Sequence, residues 1–168
     1  MESDTGALAV EVSDTQGHVQ VEPGALAALA RRVLAGEGVG RAAISVALVD
    51  DATIHNLNRR HLGHDWPTDV ISFVLSEPGE PALAGELVVS AEMAATTARA
   101  AGADPAAELA LYVVHGLLHL CGYDDRDEAS AAAMRRREAD VLAAAGLPNT
   151  FRIVEAAAEG RGGARCPA

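Results

Sequence analysis

The sequence predicts an α/β domain: a small mixed β-sheet packed against helices, with one buried helix, carrying two histidines, at its centre. Three observations carry that expectation. Short stretches of period-two alternation interleave with longer alanine- and leucine-rich stretches that end at glycine. The stretch 105–121 is apolar on nearly every side, the pattern of a helix surrounded by protein. Hydrophobic residues make up 49% of the 168, enough for one core, but aromatics are only 3%, so Ala, Val, Leu and Ile must fill it.

Taken in order, Leu8-Ala-Val-Glu-Val alternates and reads as a strand, and after a turn at Gly17 the segment 18–21 is expected to extend it or pair with it. Residues 23–34, ending near Gly36, read as a helix. Residues 43–49 alternate again and run into Asp50-Asp51, which suits the N-cap of a helix over 52–62 closed by Gly63. Two more strands are expected at 69–74 and 86–90, separated by a Pro/Gly-rich loop at 77–85. Ser90 then caps a helix to about residue 101. Asp104-Pro105 places an N-cap and a first-turn proline before the central helix, and a last helix is expected over 127–145, stopped by Gly146-Leu-Pro148. Residues 1–154 are read as a single domain and 155–168, which lack apolar periodicity, as a flexible tail.

Charge and cysteine content narrow the function. The formal net charge is −11, and all 13 basic residues are arginine, so broad electrostatic attraction to phosphate is not expected. A nucleic-acid substrate would have to be gripped locally. The scarcity of aromatics also argues against a base-stacking platform. Cys121 in the apolar helix and Cys166 near the end resemble neither a disulfide framework nor a paired-cysteine zinc site, which suits a reducing cytoplasm. The acidic start, Met1-Glu-Ser-Asp-Thr, lacks the features of a signal peptide. The longest apolar run, 109–121, is about 13 residues and holds two histidines, too short and polar to span a bilayer needing roughly 20.

The chemistry concentrates in His115-Gly-Leu-Leu-His119-Leu-Cys-Gly-Tyr-Asp124-Asp125. Residues four apart share a helix face, so both imidazoles reach one point. Gly122 allows the helix to end in the left-handed conformation and swing Asp124 or Asp125 back toward them. Two histidines and one carboxylate make a catalytic-metal ligand set. Burying two imidazoles without partners is costly, and a metal removes that cost. Zinc proteases of the His-Glu-x-x-His type carry their general base directly after the first histidine; here that residue is Gly116, which argues against such a protease. Metal-activated water, whose pKa falls to about 7, remains as the nucleophile, and it suits a carbonyl, a phosphodiester or a deaminable ring.

These residues resemble the YbeY family of bacterial metal-dependent endoribonucleases, through the histidine motif together with Leu57-Asn58, Asp65-Trp-Pro67-Thr68-Asp69-Val-Ile-Ser72-Phe73 and Gly85-Glu-Leu-Val-Val-Ser90. The blocks cover most of residues 40–145. By position the resemblance implies His115, His119 and Asp125 as ligands of one divalent metal, zinc in the first instance, with Asp124 matching the family's own aspartate and available to support catalysis. Two positions depart from the family pattern. Asp125 stands where a third histidine is usual, which lowers the formal charge of the site by one and adds a harder ligand. Leu62 stands where an arginine is usual; Arg59, Arg60, His61 and His64 are the nearby residues able to contact substrate in its place. Arg135-Arg136-Arg137 reads as a solvated helix face.

The resemblance implies a cytoplasmic, single-strand-specific endoribonuclease acting by metal-activated water in 16S rRNA 3′-end maturation and ribosome quality control, with rRNA and the small ribosomal subunit as partners and no membrane association. Two alternatives stand beside it: a metal-stabilised ribosome-assembly factor with little or no nuclease activity, and a metal hydrolase of a small molecule.

Overall fold

The computed structural model describes residues 7–160. Ten elements follow one another: β1 (Leu8–Asp14), α1 (Pro23–Gly36), β2 (Ala42–Val49), α2 (Asp51–Leu62), β3 (Val70–Val74), β4 (Leu83–Ser90), α3 (Ala91–Ala101), α4 (Pro105–Leu120), α5 (Glu128–Ala144) and α6 (Thr150–Gly160). The strands form a sheet in the order β1-β2-β4-β3, with β1, β2 and β4 parallel and β3 antiparallel on the edge. It is the mixed α/β arrangement expected from the alternation of patterns.

Side-chain alternation divides the sheet into two unlike faces. Ile44, Val46 and Leu48 of β2 and Leu87 and Val89 of β4 point into the main core with Leu26, Leu29, Val33 and Leu34 of α1, Ala91, Ala94 and Ala95 of α3 and most of α4. The other face is covered by α2 at one end, where Ile54 and Leu57 meet Val49, Ile71, Val88 and Phe73. Elsewhere that face shows small and polar side chains to solvent: Ala9, Glu11, Ala43 and Ser45 are exposed. Such one-sided packing is what an alternating strand pattern describes.

The helix ends follow the sequence signals. The Asp50 side chain accepts from Thr53 N at 2.8 Å, Ser90 Oγ from Met93 N at 3.0 Å and Asp104 from Ala106 N at 3.2 Å, each satisfying an N–H left without an intrahelical partner. Gly63, at φ 70°, takes the left-handed conformation that closes α2. α4 touches β3, β4, α1, α3, α5 and α6, and this enclosure accounts for its apolar character on every side.

Most boundaries fall within a residue or two of expectation, and three differences are larger. Residues 18–21 form no strand: Gln16 Oε1 accepts from His18 N and Val19 N at 2.7 and 2.9 Å while Gln16 Nε2 donates to Val19 O at 2.8 Å, so a side chain takes the groups that a ladder would need. β4 begins at Leu83 and takes the last three residues of the span expected as loop, because Leu83 to Gly85 pair with Ala42 to Ile44. The expected tail starts too early. Residues 155–160 continue α6, which packs on α3 and α4, while 161–168 lie outside the described residues.

Candidate metal centre

The ligand group is made by the way α4 ends. Tyr123 N donates to Leu118 O at 3.0 Å and Gly122 N to His119 O at 3.0 Å, with Gly122 at φ 104°. This is the Schellman arrangement, and only glycine takes its left-handed position without strain. The turn reverses the chain onto the last helical turn. Tyr123 O thereby reaches His119 Nδ1 at 3.0 Å, and Asp125 Oδ2 comes to 3.5 Å from both His115 Nε2 and His119 Nε2.

The two Nε2 atoms are 3.1 Å apart. His119 Nδ1 must carry its proton, because its partner is a carbonyl that can only accept. His115 Nδ1 lies 2.5 Å from Glu138 Oε1, a carboxylate, and donates in the same way. With Nδ1 as the donor on both rings, Nε2 is the atom that each histidine has left to ligate an ion, and the two Nε2 atoms face each other. Two ring nitrogens facing each other beside a carboxylate suit a cation between them.

The spacing fits one. An ion bonded tetrahedrally at about 2.0–2.1 Å holds its ligand atoms about 3.3–3.4 Å apart. The three separations of 3.1, 3.5 and 3.5 Å bracket that edge, and the three residues could hold a metal ion together. Exposure grades across the group: the His115 side chain is 14% exposed, His119 28% and Asp125 43%, so the group opens to solvent on the Asp125 side. A buried wall with one open side is the form of a catalytic rather than a structural metal site.

Asp124 and Asp125 diverge. Asp124 Oδ1 accepts from Arg126 N at 3.1 Å and lies 3.5 Å from Arg126 Nε, which ties it into the loop, and the group that could hold a metal ion includes Asp125 and not Asp124. Tyr123 anchors that loop from the other side, its hydroxyl donating to Glu37 Oε2 at 3.0 Å while Arg137 Nε binds the same carboxylate. Cys121 lies next to the site, but burial pushes its thiol up to about 11, with Glu37 adding to the effect, so it stays protonated near neutrality.

Arg59, Arg60, His61 and His64 lie on α2 and just beyond it, all exposed. Arg59 Nη2 donates to Asn56 Oδ1 at 3.3 Å, His61 meets Phe73 edge-on with ring centroids 5.8 Å apart, and His64 stacks on Trp66 at 4.6 Å. Phe73 belongs to the sheet face opposite α4. Among the described residues no hydrogen bond or ion pair joins any of the four to the histidine pair. Leu62 is half-exposed beside them.

Glu138 did not figure among the expected site residues. Its signal was present in the sequence: Met134, Glu138 and Leu142 are four residues apart on α5 and all three are buried. A carboxylate on an apolar helical stripe must have a partner, and here the partner is His115.

The family model described as endoribonuclease YbeY matches residues 11–146. The chain is 43% identical over 146 residues to the endoribonuclease YbeY of Pelotomaculum thermopropionicum, covering 80% of this chain and 95% of that protein. It is 38% identical over 139 residues to that of Carboxydothermus hydrogenoformans, covering 82% and 97%. The solution structure of TM1509 from Thermotoga maritima is similar at a TM-score of 0.55 and 26% identity, over 80% of this chain and 89% of that one. With the matched span running from β1 to the end of α5 and the histidine pair inside it, the chain belongs to the endoribonuclease YbeY family.

Proposed function

We propose that this chain is a cytoplasmic, single-strand-specific endoribonuclease that uses one divalent metal, zinc by its ligand types, to cut rRNA in 16S 3′-end maturation and ribosome quality control on the small ribosomal subunit. The observation that carries the reading is the convergence of two imidazole nitrogens and one carboxylate oxygen at tetrahedral spacing, in a chain of this family.

His115, His119 and Asp125 would hold the ion, and bound there it would supply the acidity that makes water a nucleophile near neutral pH. The residues divide the remaining work. Glu138 and the Tyr123 carbonyl fix the imidazole tautomers so that both Nε2 atoms face the open side. Arg126 holds Asp124 in the loop, which leaves Asp125 as the carboxylate facing that side. With a formal charge of −11 the surface as a whole repels RNA, so the substrate is held locally. Arg59, Arg60 and His61 of α2 and His64 just beyond it are the cationic and hydrogen-bonding groups offered for this.

Among the described residues no helix is long and apolar enough to cross a membrane. Leu62 in the usual arginine position favours a second reading, a ribosome-assembly factor with weak cleavage. One experiment separates them: single-stranded RNA bearing the 16S 3′ end is incubated with the metal-loaded protein and with His115→Ala. Cleavage lost in the variant supports the nuclease. No cleavage by wild type, with retained co-sedimentation on small subunits, supports the assembly factor instead.

A further inference from the structure

We propose that Glu138 is a positioning residue for the metal centre and that α5 and α6 act on the ligand His115 through it; this rests on reading His115, His119 and Asp125 as metal ligands.

The Glu138 side chain is 1% exposed, and both of its oxygens are committed. Oε1 takes the Nδ1 proton of His115 at 2.5 Å, and Oε2 takes Arg135 Nη1 at 2.8 Å. Arg135 in turn lies over the Phe151 ring, its guanidinium carbon 3.9 Å from the centroid. The series runs from the ligand on α4, through the carboxylate and guanidinium on α5, to an aromatic ring on α6.

Stability alone accounts poorly for this arrangement. A buried carboxylate, even a paired one, seldom improves on an apolar side chain of the same volume, and the stripe neighbours Met134 and Leu142 show that α5 is otherwise apolar here. What the carboxylate provides is direction. It forces the proton of His115 onto Nδ1, leaves Nε2 as the ligating atom and fixes the ring plane. His119 receives the same service from a neutral carbonyl, so the two ligands differ: the carboxylate makes His115 the more strongly donating imidazole. Arg135 keeps Glu138 from rotating off the imidazole. Phe151, supported by the docking of α6, covers the guanidinium.

Two measurements on the full chain test this. In metal-free wild type, imidazole 15N shifts are expected to show His115 as the Nδ1–H tautomer, a property that mere packing by Glu138 does not set; an Nε2–H tautomer overturns the proposal. Zinc affinity is then measured by chelator competition for wild type, Glu138→Gln and Phe151→Leu. The first variant is expected to bind roughly 10–100-fold more weakly and the second less weakly than the first but below wild type. Affinity in Glu138→Gln within about twofold of wild type overturns the positioning role while leaving the metal centre intact. Absence of zinc binding by wild type overturns the metal centre and this role with it. If Glu138→Gln fails to fold, the wild-type tautomer and Phe151→Leu decide.

Discussion

Gly116 and Leu87 meet where α4 lies on the sheet: a Cβ on Gly116 would fall 2.9 Å from Leu87 Cδ2, and as near to Val70 Cγ2. Ser72 Oγ also donates to the Gly116 carbonyl at 3.2 Å, tying β3 to the helix between the two histidines. The residue that argued against a protease is therefore glycine for a packing reason. The position where a general-base glutamate would stand faces the core instead of the histidines' open side.

Gly116→Ala sets two effects against each other. Alanine favours a helix interior over glycine by about 1 kcal/mol. Overpacking against Leu87, which is fully buried, and the stiff Val70 costs about 1–3 kcal/mol. The second wins, so thermal unfolding of Gly116→Ala is expected below wild type; an unchanged or raised Tm would show that α4 can move off the sheet freely.

Ser90 joins two helix starts. Its Oγ accepts from Met93 N to cap α3 and donates to Asp51 Oδ1 at 2.6 Å, while Glu92 Oε1 accepts from Asp51 N at 3.0 Å. Ser90→Ala removes the cap and leaves a carboxylate oxygen short of a donor, a loss of about 2 kcal/mol. For a chain of this size that is a fall in Tm of about 4–8 °C. Scanning calorimetry of the variant checks it.

The caps, the glycine stops and the order of strands and helices were readable in the sequence because each rests on local chemistry: Asp50, Ser90 and Asp104 cap, Gly63 and Gly122 turn. The side of the sheet taken by α2 was not. β2 is buried on both faces near its end, at Val46 and Leu48 on one side and Val49 on the other, so its pattern names no preferred face there. α6 escapes the pattern because its inward stripe, Thr150, Phe151, Val154, Ala157 and Ala158, is partly alanine and threonine while the large apolar Ile153 faces solvent. Of the histidine pair's surroundings, the i to i+4 spacing revealed the ligands, whereas Glu138 is 23 residues from His115 in sequence and only the packing of α5 on α4 brings them together.

Asp125 sets the charge of the candidate metal centre. Asp125→Asn keeps the shape of the side chain and removes its charge, and is expected to weaken metal binding beyond the roughly 10–100-fold that outer-shell partners contribute. Asp125→His should instead retain metal and shift preference from manganese toward zinc, because imidazole is the softer ligand. Metal analysis after dialysis against each ion measures both. Equal metal content in Asp125→Asn and wild type would remove Asp125 from the ligand group.

Glu108 lies on α4 with its carboxyl against Thr150, and Oε2 and the Thr150 hydroxyl oxygen each lack a hydrogen-bond partner among the described residues. Burial raises its pKa above the usual carboxylate value, and the dipoles of the nearby Thr150 and Tyr112 hydroxyls, short of a formed hydrogen bond, offset this only in part. The folded protein thus keeps this proton after the unfolded chain has released it. As pH rises from the unfolded pKa to the raised folded one, the native state binds more protons than the unfolded, and this group's contribution to stability falls. Above the folded pKa the penalty is complete and constant. Glu108→Gln removes the ionisation and gives the Thr150 hydroxyl a donor, so it is expected to stabilise the protein by about 1 kcal/mol at neutral pH. The gain should shrink toward the ordinary carboxylate range, where wild-type Glu108 is protonated in both states. Urea unfolding of both proteins across that range checks the sign: a Glu108→Gln advantage that grew on acidification would mean that Glu108 is stabilised as the anion.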